Sequence, residues 1–317
     1  MKKMKRFVSI ILMVAFVFAI SAPAFAADKR LKVGVVLKTL SSQYWKIVAA
    51  GAKTAAQNNN VDLILLGPPT EDAIEQQINM VQDVLSQNID VLVFSPSQPA
   101  ASVNVLLQAK AKKIPVILVD TGMPEGFNDY ASFIGTDNLA AGKAGGKALA
   151  SQLKPGSKVL LIDGAPGNPA CNDRIKGAEE VLKASGMIIA AKQPAYSDRQ
   201  KGYTVTQNVL QANPDINGVF SANDEMALGA LRAMQQAGKR VPIIGVDATE
   251  DALKSILAGE MYGSVAQGNY DMGLLAIEKA IELKAGKTIE KRIDSGATLI
   301  TKENAQDLLD FRMSIKD

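Results

Sequence analysis

Short apolar runs alternate with longer amphipathic stretches along most of the chain. Runs rich in Val, Ile and Leu occupy residues 31–37, 61–66, 91–95, 115–120 and 132–134. A second series occupies 158–162, 188–195, 218–221, 242–246 and 263–266. Apolar runs without polar alternation are the pattern of strands buried on both faces, as in parallel sheets covered by helices. Between them, residues 42–59, 70–87, 99–112, 139–153, 173–184, 201–212, 223–237 and 271–285 carry helical spacing. In the second of these, Ile74, Ile78, Val81 and Leu85 form one stripe. Strand–helix alternation predicts an α/β protein built on doubly wound parallel sheets, and two series predict two lobes. No short repeat, low-complexity tract or long linker separates the series, so several crossovers are expected to join the lobes.

Residues 1–26 depart from this pattern. Lys2, Lys3, Lys5 and Arg6 precede a run, 7–20, that is apolar except for Ser9, and Ala24-Phe25-Ala26 follows. This is the order of a secretory signal peptide cleaved after Ala26. The apolar run is shorter than the roughly 20 residues a membrane span needs. No Cys lies near the cut, so no lipid anchor is expected, and the mature protein is expected free in a periplasm. The four bases of this segment exceed the formal net charge of +3. The rest of the chain is therefore near neutral, and no nucleic-acid partner is expected.

The single Cys171 cannot form an internal disulfide. The absence of His excludes Ser-His-Asp and Cys-His catalysis and argues against a zinc site. No metal or cofactor is expected. Gly142-Lys-Ala-Gly145-Gly146 lacks phosphate-loop spacing and lies in a helical pattern, which favours close helix packing. The segment 164–169 reads as a turn-rich loop, and Lys110, Lys112 and Lys113 as a solvated helix end.

Several polar residues stand just past the end of an expected strand: Lys38 and Thr39, Asp120, Asn223 and Asp247. In open α/β sheets ligands bind at the carboxyl ends of strands. Two lobes presenting such residues would form a polar cleft. Each Asp, taken alone, also suits a helix cap or a turn.

At these positions the chain resembles the periplasmic ribose/allose/galactose-binding family, whose fold is shared with the ligand domains of the lactose-repressor family. The resemblance spans the mature chain. It rests on Val35-Val-Leu-Lys-Thr-Leu40 with Tyr44-Trp45, Ile114-Pro-Val-Ile-Leu-Val-Asp120, Ile134-Gly-Thr-Asp-Asn138, Gln193-Pro-Ala195, Asp198-Arg199, Asn223-Asp-Glu-Met-Ala-Leu-Gly-Ala230, Ile244-Gly-Val-Asp247 and Val265-Ala-Gln267. It implies the type I periplasmic-binding architecture, with crossovers near Thr136, Gln267 and Ser295. The N-terminal lobe is then about 31–135 plus 268–295, and the C-terminal lobe 136–267 plus 296–312. It also implies sugar contact by Lys38, Tyr44, Trp45, Asp120, Arg174, Asn223, Asp247 and Gln267. The two aspartates would accept from adjacent hydroxyls. Arg174 would donate through its planar fork, and Tyr44 and Trp45 would flank the ring.

Three departures set the chain apart from ribose binders: Thr121 replaces an expected arginine, Tyr196-Ser197 an aromatic before Asp198, and Ser42 an asparagine. Lys38 and Trp45 are most similar to allose-binding members. Lys38 either supplies a donor lost elsewhere or forms a salt bridge at the cleft rim. The resulting expectation is a monomeric, non-enzymatic carrier of a neutral monosaccharide, a hexose such as allose ahead of ribose, serving the membrane permease of an ABC transporter. A receptor that presents a sugar or furanosyl signal to a chemoreceptor or sensor is compatible with it. A carbohydrate-active enzyme using Asp120 and Asp247 as an acid–base pair is the competing reading. A transcription regulator is disfavoured by the signal peptide and by the lack of a DNA-reading domain before Leu31.

Overall fold

Alternate residues of the central strands supply the two sides of a sheet. In β3 (Val91–Phe94) and β4 (Val116–Val119) every residue is buried. Val91, Val93, Ile117 and Val119 pack into one core with Trp45, Val48, Ala276 and Ile277. Leu92, Phe94, Val116 and Leu118 pack into another with Val81, Leu85, Val105 and Leu106. The two-residue period of a strand makes both faces apolar only when the run is unbroken. The computed structural model describes residues 30–315. The expected signal peptide, 1–26, lies outside the described residues.

The remaining elements of the first sheet's half are β1 (Lys32–Val36), α1 (Gln43–Asn58), β2 (Asp62–Leu66), α2 (Ile74–Ser86), α3 (Pro99–Ala111) and β5 (Ser132–Gly135). The second half contains α4 (Asn138–Ala150), β6 (Lys158–Asp163), α5 (Pro169–Ala184), β7 (Ile188–Pro194), α6 (Arg199–Ala212) and β8 (Gly218–Ser221). It continues with α7 (Asp224–Gln236), β9 (Ile243–Val246), α8 (Glu250–Leu257) and β10 (Gly263–Gln267). The chain closes with α9 (Asn269–Lys284), β11 (Arg292–Asp294), β12 (Ala297–Ile300) and α10 (Ala305–Ser314).

Two six-stranded sheets result, ordered β11-β5-β4-β3-β1-β2 and β12-β10-β9-β8-β6-β7. Pairing is parallel except where β12 runs antiparallel to β10. The order is the same in both sheets, and it reverses between β1 and β3 and between β6 and β8. Those are the points where helices leave on opposite faces and a crevice opens at the strand ends.

The chain passes between the sheets three times: after β5 into α4, which packs on the second sheet; after β10 into α9, which packs on the first; and from β11 to β12. Hydrogen bonds lace the three passages together. Thr136 Oγ1 donates to Gln267 Oε1 (3.0 Å), Gly268 N to Gly296 O (3.1 Å) and Ser295 N to Gly135 O (3.1 Å). The Arg292 guanidinium donates to the carbonyls of Gly135 and Thr136 at 2.8 and 2.9 Å.

Four elements exceed the expected pattern: β11, β12, α8 and α10. The two strands are edges of three and four residues, largely exposed, and so carry no apolar run. The helix α8 has only 8 residues. The helix α5 begins at Pro169, not at Asp173, because Asn168 caps it by accepting from Cys171 N (3.2 Å) and proline suits its first turn.

The glycines of α4 serve close packing, as their spacing suggests. A Cβ at Gly142 would lie 2.0 Å from the carbonyl oxygen of Arg174, and one at Gly177 would lie 2.3 Å from that of Leu139. Backbone contact of this kind brings α5 against the first turn of α4, and so places Arg174.

Candidate functional site

Asp120 and Asp247 occupy the same position in the two sheets, each just past the fourth strand of its lobe, β4 and β9. The Asp120 N–H bonds Ile134 O on β5, and the Asp247 N–H bonds Val265 O on β10, both at 2.9 Å. Both residues turn the chain with positive φ, 62° and 109°, and Ala248 follows at 47°. This backbone is costly for a residue with a side chain. It is retained here where the chain leaves the sheet with its carboxylates at the strand ends.

Each carboxylate is held by donors from its own lobe. Asp120 Oδ1 accepts from Tyr44 Oη (2.7 Å), and Oδ2 accepts from Thr121 Oγ1 (2.7 Å) and lies 3.5 Å from Lys38 Nζ. Asp247 Oδ1 accepts from Gln267 Nε2 (2.6 Å) and lies 3.5 Å from Arg174 Nη1. Arg174 is itself oriented: Nε donates to Asn138 Oδ1 (2.8 Å) and Nη1 to Ala222 O (3.0 Å), leaving the residue 6% exposed. Lys38 thus stands in an ion pair with Asp120. Asn223 caps α7, accepting from Met226 N through Oδ1 (3.0 Å). Gln267 has both ends of its amide engaged, one on Thr136 at a crossover and the other on Asp247.

Electrostatics tie the lobes into one site. Burial, then the charge of Asp120 and its hydrogen bond, push the Tyr44 phenol well above its usual value; Asp247 adds to this and Arg174 opposes it. Burial also raises the Asp247 carboxyl, against the stabilising charge of Arg174, and Asp120 contributes to the rise. The Asp247 carboxyl of one lobe therefore senses the charge of the other lobe.

Trp45 is set in the core of the first lobe, 2% exposed, with its indole N–H donating to Glu71 Oε1 (2.5 Å). It meets Tyr44 edge-to-face at 5.0 Å, and Lys38 Nζ lies 5.4 Å from its ring centre. Tyr196 is 52% exposed with Lys201 Nζ 4.5 Å from its ring centre, and both Tyr196 and Ser197 have positive φ. A surface tyrosine thus takes the place of the aromatic expected before Asp198.

Three structural contributors were not singled out in the sequence. Asn138 orients Arg174. Asp224, fully buried, accepts from Ser264 Oγ (2.6 Å) and Thr249 N (2.7 Å), and so supports the turn after Asp247. Arg312 of α10 donates to the carbonyls of Ala248 and Asp247. The motif Asn223-Asp-Glu-Met contains Asp224 next to a strand end, a signal that could have been read. Arg312 lies in a helix without a clear apolar period and carried none.

Among the described residues no group of three or more His, Cys, Asp and Glu could hold a metal ion. No helix among them is long and apolar enough to cross a membrane.

Two sheets of one strand order, three crossovers, and oriented polar groups at the strand ends of both lobes define a type I periplasmic binding protein fold. The family model described as "periplasmic binding protein domain" matches residues 33–288, and the chain belongs to that family. The ribose import binding protein of Salmonella typhimurium is 33% identical over 301 residues, covering 95% of this chain and 99% of its own. The D-allose-binding periplasmic protein of Escherichia coli is 33% identical over 283 residues, covering 85% and 89%. A periplasmic solute-binding protein of an ABC transporter from Actinobacillus succinogenes, solved with bound D-allose, superposes with a TM-score of 0.80 at 27% identity, covering 88% of this chain and 100% of its own.

Proposed function

We propose that this chain is the sugar-binding component of an ABC transporter, which takes up a neutral monosaccharide between its lobes in the periplasm and delivers it to a membrane permease without chemical change. The observation that carries this reading is the matched pair of carboxylates, one at the end of each lobe's fourth strand, each already oriented by donors. Two carboxylates, a guanidinium and an ammonium nearly cancel in charge, so the site suits a polyhydroxylated neutral ring. An anionic sugar would strand its charge beside Asp120 and Asp247. Full-length similarity to ribose- and allose-binding proteins supports the same class of ligand.

In this reading Lys38, Tyr44 and Asp120 serve from the lobe formed by about 31–135 and 268–295, and Trp45, expected from the sequence to flank the ring, instead backs Tyr44 from the core. Arg174, Asn223, Asp247 and Gln267 serve from the lobe formed by 136–267 and 296–312. Thr121 turns its hydroxyl onto Asp120, so it brings no substitute for the arginine expected of a ribose pocket. A hexose such as allose is therefore ranked ahead of ribose. Calorimetric titration of the mature protein with allose, psicose, ribose, galactose and glucose tests the proposal. Allose or a related hexose should bind tightest. Asp247→Ala and Arg174→Ala should each weaken it by about 10- to 1000-fold, since a hydrogen bond to a charged group contributes about 1.5–3 kcal/mol and a stranded partner costs more. Failure of every sugar to bind, or consumption of the sugar, would overturn the reading.

A further inference from the structure

The two strands beside the crevice of the first lobe must part. The helix after β1 packs on one face of the sheet and the helix after β3 on the other. The paired register of these strands ends at Val36 and Phe94, so Leu37 and Ser95 lie beyond the ladder. One side chain spans the opening. Gln77, on α2 and 0% exposed, donates through Nε2 to Leu37 O and to Ser95 O, each at 2.9 Å. Its Oε1 accepts from Ser97 N, also at 2.9 Å. A primary amide has two N–H donors and one carbonyl oxygen, and all are used.

The second lobe meets the same problem differently. Ala222 stands where Ser95 does: its N–H bonds Ile162 O (2.9 Å) as that of Ser95 bonds Val36 O (3.1 Å). The Ala222 carbonyl is taken by Arg174 (3.0 Å), a candidate ligand-binding residue. In the second lobe a charged group of the site thus takes the carbonyl past one strand end, whereas in the first a neutral amide from a helix bridges both strand ends.

We propose that Gln77 is a positioning residue of the binding site, tying the ends of β1 and β3 so that Lys38 is presented to Asp120, without itself touching the ligand. Leu37 is pinned on both sides, by Leu66 O at its N–H (2.9 Å) and by Gln77 at its carbonyl. The next residue is Lys38, whose ammonium reaches Asp120. The inference rests on the sugar-binding reading for its effect on affinity, but the clamp can be read without a ligand.

The test compares Gln77→Met, Gln77→Glu and Val81→Ala. Val81 is buried one turn further along the same helix and packs in the apolar core, so its truncation controls for general destabilisation. Amide exchange of sugar-free protein reads local opening, and titration with the tightest-binding sugar of the panel reads the site. Gln77→Met should speed exchange at Ser97 and lower affinity, each by about tenfold, the size expected when a buried hydrogen bond is lost. Gln77→Glu keeps the acceptor for Ser97 N–H, so it should leave that exchange slow while still weakening the sugar several-fold. Val81→Ala should leave both within about twofold. Wild-type affinity in either Gln77 variant, or an equal loss in Val81→Ala, would overturn the proposal. If the wild-type protein binds no sugar, the sugar reading falls, and unchanged Ser97 exchange in Gln77→Met would separately remove the clamp.

Discussion

Asp224 shows how a residue can shape the site from beneath it. Its carboxylate lies under the turn that carries Asp247 and takes donors from Ser264 and Thr249. Burial, reinforced by the charge of Asp247, still pushes its pKa up to about 8, against both hydrogen bonds. The unfolded-state value is about 3.9, so the folded state binds the proton more tightly. Its contribution to stability is then fully present below about pH 4 and is lost as pH rises to about 8. Asp224→Asn, which mimics the protonated form, should therefore flatten the pH dependence of stability across that window. Urea unfolding at intervals between pH 4 and 8 checks this. Parallel curves for the two proteins would show that Asp224 does not take up a proton on folding. The neighbouring Asp247 is legible in the sequence as an Asp at a strand end, but its partners Gln267 and Arg174 lie 20 and 73 residues away. Only the fold brings them together.

Among elements, the pair α4 and α5 has the closest bearing on the site. Gly142 admits the Arg174 carbonyl to 2.0 Å of where a Cβ would be. Backbone cannot yield as a flexible side chain can. Gly142→Ala should therefore force the helices apart at a cost of about 1–3 kcal/mol. It should also weaken the sugar, because Arg174 would shift away from Asn138 and Asp247. Urea unfolding and calorimetry together check both outcomes; an unchanged midpoint would mean that the helices adjust freely. Ten strands and eight helices of this architecture were legible from apolar runs and helical spacing, with ends displaced by a few residues. The elements not foreseen were two edge strands and two helices. β11 and β12 are mostly exposed and so carry no apolar run, α8 spans only 8 residues, and α10 derives its place from Leu309 and Arg312 packing inward.

At the scale of the molecule, three crossovers laced by hydrogen bonds between Thr136, Gln267, Ser295 and Gly268 join the two lobes, and lobe closure is expected about them. A ligand that touches both lobes stabilises the closed state by its differential affinity. Small-angle scattering of the mature protein should report a monomer. With the bound sugar its radius of gyration should fall toward about 19 Å, the value expected of a compact chain of this length. An unchanged profile at saturation would count against closure. The Gln267 amide joins a crossover to Asp247 directly, giving the waist and the site a common bond.

Apolar runs and their spacing were enough to determine the α/β class, the two series of elements and the residues that leave each strand, because periodicity is a local property of the chain. The motifs carried the family resemblance and the candidate residues. Strand order was decided only in three dimensions: β11 joins the first sheet by pairing Asp294 with Gly135, 159 residues earlier in the chain, and β12 joins the second. The same holds for the partners that orient each carboxylate, for Gln77 beneath the crevice, and for Arg312 behind the Asp247 turn. These depend on contacts between residues far apart in sequence, whose geometry arises from packing two sheets and their helices rather than from any pattern along one segment.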